Sequence, residues 1–353
     1  MTRQNVRISL VAVVLIGAAG MAAGQTEELV RVIAMEPGGR FTLGNVSGDI
    51  TVTGVDGDDL TIRATKRVAG RGSTATDALD RVEIDIEERG NRVVVETDYP
   101  RHRRSFLESL ASLFSGGGRE PFVAVDYLVT VPRGTAVAVE SFDGDVTVEG
   151  VDGETHVKTV SGAGRLASLA RLVAVETSSG DLEIADVRSD EVLTAETVSG
   201  RIDIERVRVP RLQVKSFDGA VALEGVESRR VAVETVSGSV TFDGALAADG
   251  RYELRSHSGG ILLTVPDGSG FELDARSFSG DLRSDIPILV GRDNPSRQTP
   301  VFEGGRRAIR GIAAAGGAHL ELYTVSGDMA IGIRSSALLQ PAASRPAGSI
   351  DIR

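Results

Sequence analysis

The feature that most constrains this chain is a short phrase that returns about every nineteen residues: Thr or Ser, any residue, Ser or Asp, Gly. Its glycines are Gly48, Gly144, Gly162, Gly180, Gly200, Gly219, Gly238, Gly259, Gly280 and Gly327. From Gly144 to Gly280 the steps are 18, 18, 20, 19, 19, 21 and 21 residues. A fixed period of this size marks an array in which each unit packs only on its neighbours. The residue five before the glycine is apolar in every unit, from Leu43 and Val139 to Leu322. Two and four after it the chain is apolar again, with Gly164 and Ser284 as the exceptions. Apolar positions two apart mean strands with one buried face. Each unit therefore reads as strand, Gly turn, strand, second turn. One unit cannot bury enough apolar surface to offset the ordering of nineteen residues, so the units must stack.

The expected architecture is an all-β, parallel β-helix-like solenoid of either hand. A β-propeller is the competing all-β form, but its blades need about forty residues. Charges four before the glycine (Glu140, Lys158, Glu176, Glu196, Lys215, Glu234, Arg255, Arg276) mostly alternate in sign, as parallel neighbours would require. Ser or Asp before an obligatory Gly is turn chemistry, and the ten glycines are expected to serve φ > 0. On that reading Gly200→Val and Gly238→Val destabilise the chain.

The expected divisions are a signal peptide at 1–24, an N-terminal β segment with the first repeat at 25–100 and an insertion at 101–120. Main repeats follow at 121–286, then a loop at 287–318 and C-terminal repeats at 319–353. The leader has Arg3 and Arg7, an apolar run from Ile8 to Ile16, and small residues before Gln25. It implies an extracytoplasmic chain, periplasmic or secreted. Within the insertion, Arg101 to Arg104 is basic, and Phe106, Leu107, Leu110, Leu113 and Phe114 fall at helical spacing. A short helix capping an open edge is the expectation for it; peripheral membrane contact through 101–114 is the alternative.

Composition narrows the chemistry. Of 353 residues none is Cys or Trp, and the net charge is −11. Thiol catalysis and cysteine–zinc sites are excluded, and nucleic acid is not an expected partner. His102, His156, His257 and His319 are dispersed, and no phosphate, dinucleotide or nucleophile-elbow motif is present, so neither a cofactor nor a metal is expected. Turn carboxylates at Asp143, Asp145, Asp181, Asp218 and Asp281 could line one edge, as in a carbohydrate-active β-helix enzyme or a calcium site. Turn formation is the expected role, since Arg201 interrupts the position after the glycine and no repeat-wide calcium motif is present. Phe142, Phe217 and Phe278, two before their glycines, are expected to fill corners of the core.

Val131-Pro-Arg-Gly134 leads into Val137-Ala-Val-Glu-Ser-Phe-Asp-Gly-Asp-Val-Thr-Val-Glu-Gly150, and Val265-Pro-Asp-Gly268 leads to Ser277-Phe-Ser-Gly280. With the Thr-Val-Ser-Gly units at 159–162, 197–200, 235–238 and 324–327, this resembles the bacterial putative-adhesin family of exported β-strand-repeat proteins, a domain of unknown function. The resemblance covers about residues 40 to 333. It implies an exported β-solenoid without known catalysis and supplies no functional residues. The expected function is a non-enzymatic binding, adhesin-like or scaffolding surface in the cell envelope, with an envelope protein or glycan as partner.

Overall fold

A computed structural model of the chain describes residues 11–12, 25–68, 73–99, 123–289, 301–303 and 306–334. Two facing sheets, each of fourteen strands among the described residues, form a flattened β-solenoid. Each rung supplies a longer strand before its glycine and a shorter one after it. In the Gly200 rung these are Val192–Ser199 and Ile202–Glu205. Neighbouring rungs pair in parallel and in register, as in Glu196↔Lys215 and Ile202↔Val221.

The core lies between the sheets. Leu193, Ala195, Ile202, Ile204 and Val207 of this rung are all fully buried. The two exceptions to the apolar pattern have local causes. At Gly164, a Cβ would come within 2.8 Å of Leu182 Cδ2, so the neighbouring rung already fills that space. Ser284 lies in the last strand of the short-strand sheet, where its hydroxyl donates to Ile286 O at 2.8 Å.

Rung order in space departs from rung order in sequence at both ends. Arg40–Ser47 and Ile50–Val55 lie between an outer rung (Arg92–Asp98 with Val123–Pro132) and the Gly144 rung. At the other end, Ala318–Ser326 and Met329–Ile333 slot between the Gly259 and Gly280 rungs. Arg255 and Arg276, adjacent in the sequence reading, are thus separated by Tyr323. In both places the chain steps over a whole rung, about 9.6 Å instead of 4.8 Å. Val131-Pro-Arg-Gly134 and Val265-Pro-Asp-Gly268 mark the two crossings. The backbone there bonds to the rung it crosses: Arg133 N–H donates to Val55 O (3.1 Å), and Val265 O accepts from Arg334 N–H (3.1 Å).

Antiparallel strands cover the parallel stack. Asp59–Val68 and Gln25–Ala34 extend the short-strand sheet, with Val11–Ala12 beyond them, and Glu83–Arg89 extends the long-strand sheet. A helix, α1 (Ser73–Asp80), not anticipated from the sequence, lies beside them with Ala78 and Leu79 buried. Residues 287–318, read as a loop, contain Arg306–Ala313, which pairs antiparallel with Phe271–Ser279. Its alternation is broken by Gly311 and by the arginines, so it lacks the repeat's signature. The signal-peptide reading (Val11–Ala12 apart), the helix over 101–114 and the C-terminal tail fall outside the described residues.

Candidate functional site

The ten glycines form one file along the edge where long strands pass into short ones. A Cβ on Gly238 would stand 1.9 Å from Gly219 O, and one on Gly200 would stand 2.0 Å from Gly180 O. Such distances forbid any side chain. Positive φ is only part of the cause. Gly48, Gly144, Gly162, Gly180 and Gly200 have it, whereas Gly219, Gly238, Gly259, Gly280 and Gly327 do not. The expectation that Gly238 serves φ > 0 is therefore corrected: the close approach of the neighbouring carbonyl requires glycine there.

The residue three before each glycine, Thr or Ser in nine rungs and Asn45 before Gly48, is buried beneath this file. Ser256 Oγ donates to Gly238 O at 2.9 Å, and Thr324 Oγ1 to Gly259 O at 3.2 Å. Ser141, Thr159, Thr197 and Ser216 hydroxyls are buried without a partner among the described residues. In the outer rung, Thr97 holds the corresponding inward place. There the Thr97 hydroxyl lies 2.7 Å from Tyr127 Oη and donates to Asn45 Oδ1 at 3.0 Å. Burial pushes the Tyr127 phenol up to about 12.

The turn carboxylates hold the stack together. Asp145 Oδ1 accepts from Ala163 N–H (2.9 Å), Asp181 Oδ1 from Arg201 N–H (2.8 Å), and Asp49 Oδ1 from Asp145 N–H (3.0 Å). The backbone donor from Ala163, aided by Arg165, lowers the Asp145 pKa below the usual carboxylate value. An acid held ionised against the next rung cannot donate a proton as a general acid at neutral pH. Asp143 accepts at 3.5 Å from the Ser47 hydroxyl, and Asp281 N–H donates to Asp328 Oδ1 at 2.8 Å. Asp218 is exposed at its turn. Among the described residues no three His, Asp or Glu side chains converge to hold a metal. No described helix is long and apolar enough to cross a membrane.

The two outer faces of the solenoid differ in chemistry. On the short-strand sheet and its turns, charged side chains pair with one another: Arg165 with Asp145 and Glu183, Arg206 with Asp186 and Glu205, Arg208 with Glu227. The long-strand sheet carries eight of the ten exposed large apolar residues found among the described residues. Its outward column two before the glycine runs, in spatial order, Val46, Phe142, Val160, Ser178, Val198, Phe217, Val236, His257, Val325, Phe278.

Phe217 and Phe278 are 59% and 58% exposed, and Phe142 is half-buried. The expectation that these rings fill core corners is thereby corrected. They share the outward phase of the charged column four before the glycine. That column pairs Lys158 with Glu176 (3.2 Å) and Lys215 with Glu196 (3.1 Å).

Over the C-terminal rungs this face is concave. A cleft of about 570 Å³ is lined by Lys215, Val236, Arg255, His257 and Tyr323. A second, of about 880 Å³, adjoins it at Glu321 and is walled by Leu289 and Ile312. Arginines in their walls are paired: Arg255 meets Glu321 at 3.1 Å, and Arg310 meets Asp274 at 3.0 Å. The arrangement provides apolar contact area framed by charged side chains.

Several solved structures are similar to the chain. A "putative cell adhesion protein" from Clostridium sporogenes is 9% identical, with a TM-score of 0.22, covering 88% of this chain and 100% of that one. A "putative adhesin" from Bacteroides fragilis is 12% identical, with a TM-score of 0.32, covering 87% and 97%. A "putative lipid binding protein" from Parabacteroides distasonis is 15% identical, with a TM-score of 0.38, covering 69% and 91%. No curated protein matches the chain. A family model described as Toastrack DUF4097 matches residues 59–332.

Proposed function

The chain belongs to the Toastrack DUF4097 family, and from that premise we propose that it is an exported, non-catalytic, adhesin-like binding module of the cell envelope. Its contact surface is the outer face of the long-strand sheet. One observation carries this reading: exposed Val198, Phe217, Val236, Tyr323 and Phe278 gather on that face, whereas the exposed large apolar residues of the short-strand sheet are Leu128 and Val32, among the described residues. Exposed apolar side chains in one patch mark an interaction site on a soluble fold. The engagement of Asp145 and Asp181 by backbone N–H groups speaks against the carbohydrate-active alternative.

The test is binding of the labelled chain to cell envelopes, untreated, protease-treated or periodate-treated. Phe217→Lys combined with Phe278→Lys is expected to weaken binding by at least about tenfold, the scale of one or two lost apolar anchors. Arg165→Glu on the other face is expected to leave binding unchanged. Loss after protease identifies a protein partner, and loss after periodate a glycan. Undiminished binding by the double Phe variant refutes the assignment of the face.

A further inference from the structure

The spatial order of the rungs gives the outward column a symmetry that the linear sequence lacks. Counting from Phe217 in both directions, the paired residues are Val198 with Val236, Ser178 with His257, Val160 with Val325, and Phe142 with Phe278. Each pair matches in class: valine, polar, valine, phenylalanine. The match depends on the Gly327 rung lying inside the Gly280 rung. In sequence order Phe278 would fall opposite Val160 and the pattern would break.

The charged column four before the glycine has the complementary property. About Lys215, Glu176 is mirrored by Arg255 and Glu140 by Arg276, with opposite signs at equal steps. Glu196 and Glu234 share a sign, but both flank Lys215, which sits on the centre. The eight charges of the column are four acids and four bases, and so cancel, in a chain whose net charge is −11.

We propose that this face is a homophilic interface, and that its partner is a second copy of the same chain. The two solenoids run antiparallel about a two-fold axis lying along the Gly219-rung strand, Arg211–Asp218. That operation places like apolar residues together, and it sets Glu176 against Arg255 and Glu140 against Arg276; Lys158 falls against Tyr323, and the like-charged Glu196 and Glu234 come together beside the two central Lys215 side chains, which lie between them. From Phe142 to Phe278 the face is roughly 38 Å long and 23 Å wide at ordinary strand dimensions. The resulting ~900 Å² per copy exceeds the ~800 Å² per partner of a standard stable interface. The proposal rests on the reading of this face as the contact surface and names its partner.

The experiment is sedimentation of the full chain from about 1 to 100 µM, the range in which micromolar self-association is resolved, joined to cysteine trapping. The sequence has no Cys, so each introduced thiol is unique. Phe217→Cys lies on the axis and is expected to be joined to its copy by a short bis-maleimide, which spans the ~10 Å between packed sheets where a direct disulfide would not reach. Val198→Cys alone is expected not to be, whereas Val198→Cys mixed with Val236→Cys is expected to cross-link. Thr241→Cys, outward on the short-strand sheet, is expected to remain uncross-linked while self-associating as the parent does. All four positions lie outside the core, so folding is retained, and each variant's thermal transition checks this.

A monomer at every concentration, with no more trapping at 217 than at 241, overturns the proposal. Loss of envelope binding by Phe217→Lys in a chain that sediments as a monomer upholds the face as a contact surface and overturns the second-copy partner. Trapped dimers with envelope binding unaffected by Phe217→Lys uphold self-association and overturn the envelope reading.

Discussion

Replacing Gly238 by alanine tests the glycine file at its most informative point. The new Cβ would sit 1.9 Å from Gly219 O and 2.6 Å from its carbonyl carbon. Ordinary contact would require the two rungs to part locally by more than 1 Å, and backbone cannot rotate away as a flexible side chain can. The nearby bonds between these two rungs, Ser237 N–H to Phe217 O and Val221 N–H to Ser239 O, both 2.9 Å, would lengthen beyond useful range. Two such bonds at ~1 kcal/mol each, with the packing lost beside them, put the cost at about 3 kcal/mol or more. Gly134→Ala is the control. Its nearest neighbour is Gly38 N at 3.7 Å and its φ is not positive, so a change within about 0.5 kcal/mol, or a slight gain, is expected. Urea unfolding of the three chains gives the comparison. Gly200, which has both the close approach and a φ of 148°, is expected to cost no less than Gly238. A Gly238→Ala chain as stable as the parent would refute the steric argument. A large loss at Gly200 with little at Gly238 would restore the φ explanation.

Other expectations follow from the same geometry. Thr159→Val removes a buried hydroxyl without a partner while keeping its shape, and is expected to raise stability by up to about 1 kcal/mol. Ser256→Ala is expected to lower it by a similar amount by deleting the bond to Gly238 O; thermal unfolding distinguishes the two signs. Ser168 holds a φ of 56°, so Ser168→Gly is expected to stabilise by about 0.5–1 kcal/mol in urea titration. The folded-state pKa of Asp145 is depressed, so its contribution to stability is present above the unfolded value near ~4 and fades as pH falls through the folded one. Asp145→Asn should therefore flatten the loss of stability below about pH 4, measured as the unfolding midpoint against pH.

The repeat disclosed the rung because its chemistry is local. Five before, two after and four after the glycine are inward positions in any strand–turn–strand unit of this length, and their apolar residues said so. Rung order was not legible, because the Gly48, Gly280 and Gly327 units have interchangeable faces and the connections choose their neighbours. The visible signal was the paired Val-Pro-x-Gly at 131–134 and 265–268, each of which spans a double step. Hydrophobicity alone points Phe217 and Phe278 inward. Their phase, shared with Lys215 and Arg276, pointed outward, and alternation within the strand overrides residue type. The carboxylates at Asp145 and Asp181 were recognised as turn residues, but their bonds run to the next rung, a contact that exists only after stacking.

The central claim is that the chain makes its contacts through the outer face of the long-strand sheet. Hydroxyl-radical footprinting of the chain, free and bound to cell envelopes, tests it most directly. Phe217, Phe278 and Tyr323 are expected to label readily in the free chain kept below its self-association range and to be protected when bound. Leu128, exposed on the short-strand sheet, is expected to label equally in both states. Protection at Leu128 with Phe217 and Phe278 unchanged would contradict the account.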